Sequence, residues 1–118
     1  MHPVYFDNNA TTPLHPRVRE AMLPWMGERY GNPSSLHGFG QAARNAVEEA
    51  REKVAALLSV RPPEVVFTAS GTEANNAVLF HRARQAGAGR GHLVISAFEH
   101  PSIREAAARL EKEGVEVT

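Results

Sequence analysis

The sequence predicts an α/β fold with a largely parallel sheet, preceded by a helical amino-terminal segment. Three observations carry this. Residues 65–76 read V-V-F-T-A-S-G-T-E-A-N-N, a β-branched run that breaks into small residues and then into helix formers. After residue 64, strand-like and helix-like stretches alternate as far as Thr118. Before residue 60, by contrast, the apolar residues recur at helical spacing. The expected division is an arm with helices over residues 1–60 and the beginning of an incomplete α/β domain over 61–118.

Taken in order, Val4 to Phe6 is a short extended piece, and Asp7-Asn8-Asn9-Ala10-Thr11-Thr12-Pro13 is rich in side chains that bond their own backbone, which reads as a turn. His15-Pro16 opens a helix with proline in its first turn. Val18, Met22, Trp25 and Met26 share one apolar face, expected to be core, and Pro24 is expected to kink or end the helix near Leu23. Gly31-Asn32-Pro33-Ser34-Ser35 is a turn cluster. A long helix follows, with Ala43, Val47, Ala50, Val54, Leu57 and Leu58 on one face and same-face pairs Arg44–Glu48 and Glu49–Lys53. Arg61-Pro62-Pro63 separates it from a strand at Val65, Val66, Phe67 and Thr68.

A helix begun at Thr72 is expected to run to about Ala86 and stop at Gly87. Gly87-Ala88-Gly89-Arg90-Gly91 has the glycines of a dinucleotide fingerprint but follows a helix and precedes a strand, the reverse of the required order, so it reads as a connection. Residues 92–96 form the next strand, with Leu93, Val94 and Ile95 as a continuous apolar run. Ser102-x-x-Glu105 reads as a capping box opening a helix to about Lys112, which Gly114 stops before a last strand at Val115 to Thr118.

Composition narrows the function classes. Apolar residues at 42% and charged residues at 22% are those of an ordinary globular protein. Thirteen basic against thirteen acidic residues remove any general electrostatic case for nucleic acid or an anionic membrane. No cysteine is present, so disulfides, thiolate metal sites and a thiol nucleophile are excluded from these residues. No basic-then-apolar leader and no bilayer-length apolar run occur, and the expected location is cytoplasmic.

The chemistry concentrates after the first predicted strand. Ser70-Gly71-Thr72 sits where a helix begins, where unpaired N–H groups and the positive end of the helix dipole suit an anion and two hydroxyls add donors. Read locally, Ser-Gly-Thr-Glu is equally an ordinary cap. Glu99-His100 falls at the end of the next strand, and ligands of parallel sheets sit at the carboxyl ends of strands, so two signals point to one place. Local logic alone reads His100 as a loop histidine bonded to backbone.

Four motifs in order carry a family resemblance: Tyr5-Phe6-Asp7-Asn8-Asn9-Ala10-Thr11-Thr12-Pro13; Gly31-Asn32-Pro33-Ser34-Ser35 with His37, Gly40 and Ala43; Phe67-Thr68-Ala69-Ser70-Gly71-Thr72-Glu73-Ala74-Asn75-Asn76; and Glu99-His100. Together they resemble the amino-terminal part of a cysteine desulfurase of the NifS/IscS type. The resemblance implies a fold-type I, aspartate aminotransferase-like domain of the aminotransferase class V group. It further implies a homodimeric pyridoxal-phosphate (PLP) enzyme that turns L-cysteine into alanine and passes sulfur, as a persulfide, to iron–sulfur scaffolds and other acceptors. Gly71 and Thr72, with Ser70 as a further donor, match positions holding the PLP phosphate, and His100 matches a histidine lying against the pyridine ring and moving protons. The Asn8 to Thr12 loop resembles a segment near the substrate side, and His37 is given no catalytic role. Many relatives have Ser-Gly where this chain has Ala69-Ser70; a positive φ there would strain Ser70.

The family also needs a Schiff-base lysine, an acidic partner for the pyridine nitrogen, a mobile cysteine and a substrate-gripping arginine, and none can be matched here. Lys53 and Lys112 are the only lysines, one mid-helix and one at a helix end. These 118 residues alone are therefore expected to be inactive. Two readings follow: a portion of a desulfurase, with a selenocysteine lyase or another class V enzyme as its competitor, or a short partner-binding protein that pairs an open sheet edge.

Overall fold

Proline placement sets the first helix of the computed structural model, which describes residues 3–87 and 91–118. Helix α1 is Pro16–Met22, with proline at its first position and His15 as its cap, the ring Nδ1 accepting from the Arg17 N–H at 3.2 Å. Pro24 ends it as expected, and the chain continues as a 3₁₀ turn, Leu23–Met26. The chain's contacts divide it into two units, Met1–Val65 and Val66–Thr118.

In the first unit, the expectation that Met22, Trp25 and Met26 form core is not met. All are exposed, Met26 by 70%, and with Val18 they line an open cavity of about 610 Å³. The helical period is right, but α1 packs chiefly on the turn that follows it, and its apolar face stays largely open. Helix α2, Gly38–Leu58, is capped by His37, whose Nδ1 accepts from the Gly40 N–H at 3.4 Å. Its buried face is shifted from the predicted one: Gly40, Ala43 and Ala55 are buried, whereas Leu57 is 83% exposed. Small residues win because backbone lies on that face. A Cβ at Gly40 would stand 2.4 Å from the Ser35 carbonyl oxygen, and one at Gly31 would stand 2.3 Å from that of Phe39.

The predicted charge pairs of α2 are also replaced. The Arg44 side chain donates to the Pro33 carbonyl at 2.8 Å, and Glu48 pairs with Arg51 at 3.0 Å. Glu49 and Lys53 form none of the ion pairs among the described residues. Helix α2 closes with Ser59 in the left-handed region, φ 56°, where the Val60 N–H bonds the Ala55 carbonyl at 3.0 Å.

The second unit holds α3, Gly71–Ala86, then β1, His92–Leu93, then α4, Pro101–Lys112, then β2, Glu116–Val117. Strands β1 and β2 are parallel, with His92 opposite Glu116 and Leu93 opposite Val117, so β1, α4 and β2 make one βαβ unit. Ala106, Ala107 and Leu110 of α4 are buried, and α3 packs beside α4. Both C-cap glycines do their expected work: Gly87 and Gly114 have φ of 81° and 92°. After α4 the N–H groups of Gly114 and Val115 bond the carbonyls of Glu111 and Leu110, the Schellman pattern.

Two expectations of this unit are corrected. Val65, Val66, Phe67 and Thr68 carry no strand among the described residues. Val65 has extended dihedrals, but its N–H bonds Pro62 and its carbonyl accepts from the Arg51 guanidinium, which takes both groups a ladder would need. The helix at 101 is capped by His100 and not by Ser102, so the Ser102–Glu105 box does not form. The connection read at residues 87–91 falls largely on 88–90, which lie outside the described residues.

Candidate functional site

The first half of the site is the start of α3. Ser70 is its cap, with φ −160° and ψ 162°, extended backbone open to any residue, so serine here is unstrained. Its Oγ accepts from the Glu73 N–H at 3.2 Å, and the Glu73 carboxylate reaches back to the Ala69 N–H at 2.7 Å. Thr68 Oγ1 donates to the Ser70 carbonyl at 3.0 Å, which closes the turn from its other side. The capping bonds thus use the N–H groups of Ala69, Glu73 and Ala74, and those of Gly71 and Thr72 take no part in them.

Gly71 is needed neither for a positive φ nor for packing, since a Cβ there meets nothing within 4 Å. Thr72 is exposed and its hydroxyl makes no hydrogen bond among the described residues. Open approach, outward N–H groups, two hydroxyls and the dipole of a 16-residue helix together suit a phosphate monoester.

The second half is the start of α4. Pro101 occupies the first helical position and confines His100 to φ −58°, ψ 147°, which is cap geometry. The His100 Nδ1 accepts from the Ser102 N–H at 3.1 Å and lies 2.9 Å from Ser102 Oγ. A nitrogen that accepts cannot carry the ring's proton, so the neutral imidazole has it on Nε2. The local reading of His100 therefore holds: it is bonded to backbone through one nitrogen, and its side chain is exposed.

A side-chain bond joins the halves. Asn75 Nδ2, one turn into α3, donates to Ser102 Oγ in the first turn of α4 at 3.0 Å. At the other end, Phe80, Ala83 and Arg84 of α3 line a cavity of about 290 Å³ with Leu110 and Glu113. The two helices thus run side by side in the same direction and present their N-termini together.

Asn75 and Ser102 were not among the sequence-predicted site residues. The available signal was His-Pro: proline forces the preceding residue into cap geometry, which makes the histidine the cap and frees the following serine for another partner. The Asn8 to Thr12 segment lies in the other unit as a turn, with the Ala10 N–H on the Asp7 carbonyl at 3.1 Å. His37 serves as the α2 cap. Among the described residues no group of His, Asp or Glu could hold a metal ion, and no helix is long and apolar enough to cross a membrane.

The family model for aminotransferase class-V matches residues 4–118. Over 117 residues the chain is 44% identical to a cysteine desulfurase IscS of Rickettsia felis, covering 98% of this chain and 28% of that protein. A cysteine desulfurase IscS of Dictyoglomus turgidum is 44% identical over 115 residues, again 98% of this chain and 29% of the other. Among solved structures, a NifS-like protein matches with a TM-score of 0.90 at 41% identity, over 98% of this chain and 32% of that one. SspA in complex with cysteine matches with a TM-score of 0.87 at 38% identity, over 97% of this chain and 33% of that one. The chain spans less than a third of the length of the curated relatives named here. With the family model matching nearly its whole length, and with the fold shared with NifS-like structures, this chain belongs to the aminotransferase class-V family, among relatives that are IscS-type cysteine desulfurases.

Proposed function

We propose that this chain carries the phosphate-holding and ring-facing part of a PLP-dependent cysteine desulfurase. The observation that carries the reading is the Asn75–Ser102 bond, which brings an anion-suited helix start and an exposed histidine edge to one end of a helix pair. The N–H groups of Gly71 and Thr72 and the hydroxyls of Ser70 and Thr72 hold the cofactor phosphate. Ser70 can do so while capping α3, because its oxygen accepts from Glu73 and its proton remains to donate. His100 lies against the cofactor ring and moves a proton at Nε2. When bound, the cofactor supplies the electron sink for the substrate's Cα.

The remaining groups of the reaction belong to other parts of the enzyme. Lys112 is the last residue of α4, at the end opposite His100, and is not placed to hold PLP there; Lys53 belongs to α2, in the other unit. The substrate is L-cysteine, a reading supported by the match to SspA in complex with cysteine; the sulfur goes to iron–sulfur scaffold or other acceptor proteins, and the working form is a cytoplasmic homodimer. The test is His100→Ala in the full-length enzyme. Turnover is expected to fall at least about tenfold, with a changed cofactor absorbance band and an unchanged PLP content. Unchanged absorbance and unchanged turnover together overturn the assignment.

A further inference from the structure

The polar contacts around His100 have a direction. Asn75 Nδ2 can only donate, so Ser102 Oγ receives that bond on a lone pair and its own proton is left to point elsewhere. The acceptor 2.9 Å away is His100 Nδ1. Asn75 and Ser102 are both half-buried, which limits competition from water, and they sit on different helices. The Ser102 N–H reaches the same nitrogen at 3.1 Å, so two donors converge on Nδ1.

We propose that Asn75 and Ser102 are positioning residues for His100: the line Asn75 Nδ2–H to Ser102 Oγ–H to His100 Nδ1 fixes the ring's orientation and keeps its proton on Nε2. The backbone N–H alone sets the side from which Nδ1 is approached; the hydroxyl adds a second direction and holds the ring plane against rotation. Asn75 decides which way the hydroxyl points. Through this line, α3, which carries the proposed phosphate site, controls the ring carried by α4.

This proposal rests on the reading that His100 meets the cofactor ring. The experiment uses the full-length holoenzyme with His100→Ala, Ser102→Ala, Ser102→Thr, Asn75→Ala, Asn75→Asp and the Asn75→Ala/Ser102→Ala double variant. Besides kcat and KM, it reads the ¹⁵N resonances of the His100 ring, assigned by their loss in His100→Ala, and the cofactor absorbance. Ser102→Ala and Asn75→Ala are each expected to lower kcat about threefold to tenfold with little change in KM or PLP content, and to reduce the Nε2–H tautomer. The double variant is expected to lose no more than Ser102→Ala, because both residues act on one line. Threonine at 102 keeps the hydroxyl and is expected to restore wild-type values.

Asn75→Asp separates positioning from a mere tie between helices. Aspartate can only accept, so it keeps a bond to Ser102 but draws the hydroxyl proton away from His100. It is expected to behave like Asn75→Ala. Wild-type kcat and tautomer in Asn75→Asp and Ser102→Ala, with His100→Ala still impaired, overturn the relay and leave the role of His100 standing. Wild-type turnover and absorbance in His100→Ala overturn the underlying role, and the relay with it.

Discussion

Replacing Thr72 with alanine removes one hydroxyl from the second residue of α3 and leaves the rest of the turn in place. The structure separates what this costs the fold from what it costs a ligand. Thr72 is exposed and its side chain makes no hydrogen bond among the described residues; the cap is made by Ser70 and the turn is braced by Glu73. Folding stability without cofactor should therefore stay within about 0.5 kcal/mol, with a small gain possible from alanine's helix propensity. A hydroxyl bond to a phosphate is charge-assisted, about 1.5–3 kcal/mol, so the Kd for PLP should rise about tenfold to a hundredfold. The assay is equilibrium titration of full-length apoenzyme with PLP, followed by absorbance, beside urea unfolding of the same apoenzyme. Ser70→Ala is the contrast: it removes the acceptor for the Glu73 N–H as well, so stability should fall by about 1 kcal/mol along with affinity. A Kd for Thr72→Ala within twofold of wild type would refute the phosphate assignment, because the hydroxyl has no other described task that could mask the loss.

Three further outcomes follow from the packing. Ser59 ends α2 at φ 56°, where a Cβ is strained; Ser59→Gly should stabilise the protein by about 0.5–1 kcal/mol in urea unfolding, after glycine's greater freedom in the unfolded chain is set against the relieved strain. Leu110 is 3% exposed between α4 and its neighbours, and Leu110→Ala should cost about 2–4 kcal/mol in the same assay; a loss below about 1 kcal/mol would mean that this core is not formed. The Arg61 guanidinium and then the Arg61 N–H hold the Glu64 carboxyl below its ordinary 4.5. A carboxyl lowered in the folded state contributes stability above its unfolded pKa and loses it as pH falls through the folded one. Unfolding profiles of wild type and Glu64→Gln should accordingly converge as pH drops below about 4.5, and a gap that widens instead would contradict the pairing.

Much of the helical structure was legible because its signals are local. Pro16 marks a first turn, Pro24 an early end, Gly87 and Gly114 the stops, and each acts within one turn of itself. The βαβ unit followed from apolar runs on either side of an amphipathic helix. Apart from the Ser102–Glu105 box, which Pro101 displaces locally, most of what failed depends on a distant partner. The face of α2 that is buried is chosen by the backbone lying on Gly40 and by the turn after the helix, not by where leucine falls, and Leu57 is left outside. Arg44 has a carbonyl across a loop as its partner in place of the glutamate one turn along. The apolar residues of α1 have the right period, yet Val18 and Met22 stay exposed.

The site divides along the same line. By itself the sequence determined that Ser70, Gly71 and Thr72 begin a helix and that His100 precedes another, because capping, proline and the helix dipole act over three or four residues. It also determined, through the order of four motifs, which family to expect. Only the tertiary structure decided that the two helix starts lie together and that Asn75 and Ser102 join them. Asn75 and Ser102 are 27 residues apart, and no local preference selects one as the other's partner. The packing of α3 beside α4 makes that choice, since a half-buried amide and hydroxyl facing each other across a helix pair must bond or lose the water each had.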